Sequence, residues 1–173
     1  MTINVWWAPS AEERYWMIAP SRGEVGEFLR APQSSDDRRF EWSHELVRHT
    51  SPGDTLFVWD RTLPEPGIAA WGRVLGPLEE VTATRRGVAM PHWQMRISDT
   101  LPLARPITLR DFRRIGAEIV AIRDDTEAAT DGPVYFPFIG SADTLTLAPA
   151  YLSKIPRDMF ALLSSRFGFE FTL

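Results

Sequence analysis

Short apolar runs closed by turn residues set the tightest limit on the fold. Tyr15-Trp16-Met17-Ile18-Ala19 is stopped by Pro20, and Thr55-Leu56-Phe57-Val58-Trp59 follows the turn Ser51-Pro52-Gly53-Asp54. In that turn Pro presets φ and Gly accepts a positive φ. Runs this short are strand-length and read as buried strands. Gly67 to Val81 reads as a long strand with bulges at Gly72 and Gly76. From Met90 to Ser98, Trp93, Met95 and Ile97 alternate with Gln94, Arg96 and Ser98, the period-two pattern of a half-buried strand.

Helical signals are fewer. Glu24 to Leu29 reads as a turn or two of helix, and Glu41 to His49 as a short helix with Trp42 and Leu46 on one side. Thr108 is a good N-cap for Leu109 to Ile115, with Asp111 in the capping-box position. Glu118 to Arg123 is apolar but short, and Pro156 opens a final helix reaching Ser165. Between these lie a polar loop (Ala31 to Arg39), a linker with two prolines (Leu101 to Pro106) and an acidic loop (Asp124 to Gly132). Tyr135 to Ile139 is an edge or irregular segment because of Pro137. Residues 1–13 form an extension or leading strand, and Phe167 to Leu173 a closing strand. The expectation is one α+β domain over residues 1–173, a small, mostly antiparallel β-barrel with peripheral helices.

Composition narrows the chemistry. The 173 residues contain no cysteine, which excludes disulfides, a thiolate nucleophile and Cys-ligated zinc. No targeting segment or apolar run of membrane-spanning length is visible, so a cytoplasmic protein with no membrane partner is expected. The net charge of −4 argues against strong non-specific binding to duplex, because phosphate contacts dominate that affinity. Of 19 basic residues only Lys154 is a lysine.

His44 and His49 are five apart, off the spacing of a helical metal pair, and His92 stands alone. No Gly-rich phosphate loop or G-x-S-x-G is present. The acidic pairs Asp36-Asp37, Glu79-Glu80 and Asp124-Asp125 read as solvated loops. Neither metal nor cofactor nor catalytic residue is expected. What stands out is seven tryptophans, Trp6, Trp7, Trp16, Trp42, Trp59, Trp71 and Trp93, all in the first 93 residues. Such side chains build cores, and they also stack on bases.

Several segments, in order, resemble the EVE domain of the PUA-like group. They are Tyr15-Trp16 with Pro20, the acid-Trp pair Glu41-Trp42, and Gly53-Asp54 opening Leu56-Phe57-Val58-Trp59. Gly67-Ile68-Ala69-Ala70-Trp71-Gly72-Arg73-Val74 and the stretch Leu101 to Leu109 complete the set, over roughly residues 14–155. After the acid-Trp pair the family often carries Gly-Val-Arg, where this chain has Ser43-His44-Glu45.

The resemblance implies a PUA-like barrel that takes a flipped, modified base, such as a methylated or hydroxymethylated cytosine in DNA, into an aromatic pocket without catalysis. It implies Trp42 and Trp59 as pocket walls, Trp16 or Trp7 as a third face, Ser21 and Ser43 as hydroxyl donors and Asp60 as an acceptor. Trp71 and Trp93 are assigned to the core. Arg85, Arg86 and Arg39 are the candidate phosphate contacts, with a nuclease or ATPase subunit as a possible partner protein. Alternatives are an RNA-binding module, a small-ligand or protein-interaction domain, and a PUA-like ribonuclease using Lys, Tyr and Glu, for which only Lys154 is available.

Overall fold

The computed structural model describes residues 3–21, 25–33 and 42–169. Its first elements are β1 (Tyr15–Ile18), β2 (Phe28–Pro32), α1 (Trp42–Glu45) continuing as a 3₁₀ turn (Leu46–His49), and β3 (Thr55–Asp60). A long strand β4 (Gly67–Arg85), then β5 (Val88–Ile97) and β6 (Leu101–Thr108) follow. The second half holds α2 (Leu109–Arg114), α3 (Gly116–Ala129), β7 (Phe138–Ile139), β8 (Thr146–Leu147), β9 (Leu152–Ile155) and α4 (Arg157–Phe167).

Seven strands form one sheet in the order β2-β5-β4-β3-β1-β9, with β6 also paired to β4, and β7-β8 make a separate ribbon. The sheet curls into a half-barrel, with α1 and its 3₁₀ turn on one face and α2, α3 and α4 on the other. Its pairs are antiparallel except β1–β3, which run parallel. β4 holds the sheet together. Its first half pairs with β3 and its second half with β5. The handover falls between Val74 and Leu78, where Gly76 has φ +66°. Gly72 stays in register opposite Leu56, so only one of the two expected bulges forms.

β1 and β3 are buried on both faces. Trp16, Ile18, Leu56 and Val58 point into a core capped by Leu46 and Val47, while Met17, Phe57 and Trp59 point to a second core built with Phe112, Ile119, Met159 and Leu163. Burial on both faces is why these strands read as continuous apolar runs. The Thr108 cap forms as expected: its hydroxyl accepts from Asp111 N, and the Asp111 carboxylate accepts from Thr108 N.

Six segments differ from the sequence reading. Part of the stretch Glu24 to Leu29 extends into β2, where Leu29 and Ala31 are buried and Arg30 is exposed, a period of two. The polar loop from Ala31 loses its first two residues to that strand. The proline linker is β6, and Pro102 and Pro106 are tolerated because β6 pairs on one side only, with β4. The acidic loop is largely helical, since α3 runs to Ala129 through Glu127 and two alanines, which favour helix. Leu152–Ile155 is a strand buried against β1, missed because it follows a turn-rich stretch. Residues 6–9 and 11–12 are turns rather than a strand, with Trp7 folded into the core.

Candidate nucleic-acid interface

Strand directions decide which side chains can meet. Because β1 and β3 are parallel, their C-terminal ends lie at one rim of the sheet. Ser21, just beyond β1, and Asp60, the last residue of β3, therefore share that rim. Leu152 pairs with Ile18, so the start of β9 and the preceding Tyr151 lie there too. α1 reaches it with His44, whose ring is 6.1 Å from that of Tyr151. Trp42 is half-buried and packs at 5.2 Å on Tyr135.

Tyr135 is a rare case: a bulky residue at φ +53°. That conformation costs on the order of 1–3 kcal/mol and persists only where its surroundings enforce it. Here Trp7 lies 6.0 Å away, the phenol oxygen accepts from Asn4 N at 2.8 Å, and the Tyr135 carbonyl accepts from Lys154 N at 2.8 Å.

The opposite rim carries a second constellation. Asp54 is buried and accepts from Arg14 Nε, Trp16 Nε1 and Ser51 N, each at 2.8 Å. Trp7 meets Trp16 edge-on at 5.2 Å. A cleft of about 390 Å³ opens here, lined by Trp7, His49, Arg14, Asp54, Ser10 and Ser51 among others. Burial, reinforced by Arg48, pushes the His49 imidazole below its ordinary pKa against the pull of Glu45. Lys154 is fully buried between the rings of Trp6 and Trp16, at 5.6 and 5.2 Å, and donates to the carbonyls of Tyr15 and Ile155. Burial lowers its pKa to about 8 against the opposing pull of Glu13.

No family model matches the chain, and no curated protein matches it. Solved structures do. A protein from Pseudomonas putida superposes with a TM-score of 0.52 at 15% identity, covering 87% of this chain and 97% of that one. The chain shares that protein's fold, a mixed α+β half-barrel with a few helices. The human THYN1 protein, solved in complex with 5-methylcytosine containing DNA, matches at TM-score 0.47 and 11% identity, over 90% of this chain and 98% of that one. The DUF55 domain of human thymocyte nuclear protein 1 matches at 0.48 and 9%, over 90% and 99%. Identities this low speak to the fold alone.

Within this half-barrel the sequence-derived residues separate. Trp7, Trp16 and Trp42 share one core with Tyr135. Trp16 is fully buried and Trp7 nearly so, which leaves Trp42 as the half-buried member of the three. Trp59 is a correction. It is 2% exposed on the other face of the sheet, against Phe112 and Phe138, because it is two residues from Phe57 and shares that strand face. Ser43 is buried, whereas Ser21 is exposed. Asp60 Oδ1 accepts from both the N and the hydroxyl of Thr62. Arg85 and Arg86 stand exposed at the β4–β5 turn, and Arg39 lies outside the described residues.

Trp71 and Trp93 are half-buried and pack against the two cores, Trp93 on the side of Trp16 and Trp71 on the side of Trp59. Arg48 lies 5.4 Å over the Trp93 ring, and the Trp93 indole N–H donates to Glu45 at 3.4 Å. Sequence reasoning missed Tyr135, Tyr151 and His44 as rim residues. Pro137 marked only an edge or irregular segment there, and nothing local announces a left-handed tyrosine. Asp54 was legible as a turn residue but not as a buried acceptor.

Proposed function

We propose that this chain is a non-catalytic nucleic-acid-binding module that stacks a flipped, modified base of DNA on Trp42. The observation that carries the reading is the left-handed Tyr135, whose ring backs the half-buried Trp42. A strained residue held by its surroundings is a common mark of a functional site, and here the strain fixes an aromatic platform. A base leaving its duplex loses stacking, and one aromatic face returns about 1–3 kcal/mol per base.

Ser21, His44, Tyr151 and Asp60 lie at the same rim and supply hydrogen-bonding groups for a base edge. A methyl group adds only about 0.8 kcal/mol of apolar contact. Discrimination therefore rests on shape and on polar groups left unpaired by the wrong base. Lys154, the one lysine, spends its donors on the carbonyls of Tyr15 and Ile155 and on the Glu13 carboxylate, which favours a structural role for it over nuclease chemistry.

The test is a titration of intrinsic Trp fluorescence with duplexes carrying cytosine, 5-methylcytosine, 5-hydroxymethylcytosine or N6-methyladenine, and with matched RNA. The expected result is quenching that depends on the modification and disappears in Trp42→Ala. Equal quenching by every oligonucleotide, unchanged in that variant, would overturn the pocket. Cleavage of labelled RNA or DNA would overturn the non-catalytic assignment.

A further inference from the structure

The β4–β5 hairpin continues past the sheet. β2 pairs with β5 only as far as Pro32 opposite His92, and β3 and β6 leave β4 at Arg73 and Trp71. Gln33 N, just beyond β2, donates to the Pro91 carbonyl, and among the described residues the ladder from Ala83 opposite Met90 to Arg85 opposite Val88 has no third strand. This two-stranded arm ends in a two-residue turn, Arg86-Gly87, with φ +51° and +78°.

Positive φ at both turn positions defines a type I′ hairpin, whose first position favours Asn, Asp or Gly. Arg86 is there against conformational preference, and among the described residues neither the Arg85 nor the Arg86 side chain is held by a hydrogen bond or ion pair. Both are exposed. From Val81 to Pro91 the chain has two arginines and no acid, in a protein of net charge −4. The flanking positions are small: Thr82, Ala83, Thr84 and Ala89.

We infer that this arm is a nucleic-acid finger: a slender basic β-ribbon that enters a groove of duplex DNA and contacts phosphates through Arg85 and Arg86. The inference rests on the base-binding reading and assigns its partner as duplex. A two-stranded ribbon fits a major groove about 12 Å wide. The geometry joins the two sites, because Trp93 on β5 contacts Glu45 of the helix that carries Trp42. From Trp93 to the turn is six to seven strand residues, or roughly 20 Å at about 3.3 Å per residue. A duplex advances about 34 Å per turn, so the arginines would grip backbone about half a turn from the flipped nucleotide.

The experiment uses the full chain with Arg85→Ser and Arg86→Asn together. Asn suits the turn better than Arg, so folding should be kept, as thermal unfolding will show. Binding to a 5-methylcytosine duplex and to the matching single strand is measured by anisotropy at several salt concentrations. Each lost phosphate contact lowers the salt slope by about 0.9, so two lower it by about 1.8. Between 50 and 200 mM salt the native protein then loses about 12-fold more duplex affinity than the variant. The ratio of modified to unmodified affinity should not move.

An unchanged duplex slope, or an equal change on single strands, would overturn the finger. Trp42→Ala separates the two claims. If it erases the modification ratio while the arginine variant leaves the slope intact, base reading stands and the finger fails. If it leaves the ratio intact while the slope falls, the finger stands and the pocket fails. Absence of binding to any duplex overturns both.

Discussion

Replacing Asp54 with Ala tests how this sheet is anchored at the rim opposite Trp42. Its carboxylate accepts from three donors at 2.8 Å, and they are not equivalent. Arg14 is 44% exposed, so in the variant its guanidinium turns to water and little is lost, as for surface pairs generally. The Trp16 indole N–H is fully buried and has no route to solvent. An orphaned buried donor costs about 1–3 kcal/mol. Loss of the Ser51 turn bond adds about 1 kcal/mol, for a total of roughly 2–4 kcal/mol.

Urea unfolding followed by fluorescence measures this. With a slope of about 2 kcal/mol per molar, the midpoint falls by roughly 1–2 M. A cycle with Trp16→Phe isolates the indole bond, because Phe keeps the ring and removes the donor. In that background Asp54→Ala should cost about 1–3 kcal/mol less. If Asp54→Ala costs the same with Phe at position 16 as with Trp, the buried N–H is not what Asp54 serves. The account of this rim is then wrong.

Lys154 sets an alkaline signature. Its folded pKa of about 8 lies below the unfolded value, so the unfolded chain binds the proton more tightly. Stability should therefore rise from pH 8 to about 10, by on the order of 3 kcal/mol, and Lys154→Met should flatten that rise in urea midpoints across pH. Tyr15 and Tyr151, both pushed upward by burial, reverse the trend only above their ordinary range. Thr108→Ala removes one half of a reciprocal cap and should cost about 1 kcal/mol, a fall of about 2–4 °C in Tm. Gly67→Ala would set a Cβ 2.2 Å from the Ile107 carbonyl oxygen, backbone that cannot step aside while β4 and β6 stay paired. That variant should lose several degrees more than Thr108→Ala or fail to accumulate folded, and a Tm within 2 °C of the native protein would refute the contact.

What the sequence made legible follows the range of the interactions involved. β1, β3 and the Thr108 cap were readable because each is dictated by neighbours a few residues apart: a Pro stop, a Pro-Gly turn, a hydroxyl three residues before Asp111. β6 and β9 were not, because their strand character comes from partners β4 and β1 far along the chain, against local prolines in β6 and short length in β9. The acidic half of α3 failed for the opposite reason, since its charges suggested a loop while Glu and Ala propensity carried the helix on.

The same division runs through the site. Tryptophan abundance marked an aromatic core, but which ring faces outward depends on strand phase, and alternation along β3 puts Trp59 with Phe57 on the face opposite Trp16. Tyr135 marks the limit most sharply. A left-handed tyrosine has no local signature, because what pays for it is Trp7, Asn4 and Lys154, at 128, 131 and 19 residues' remove. A site whose platform is assembled from such distant parts can be read only once the parallel pairing of β1 and β3 has fixed which strand ends meet. That pairing is the link on which the functional reading turns.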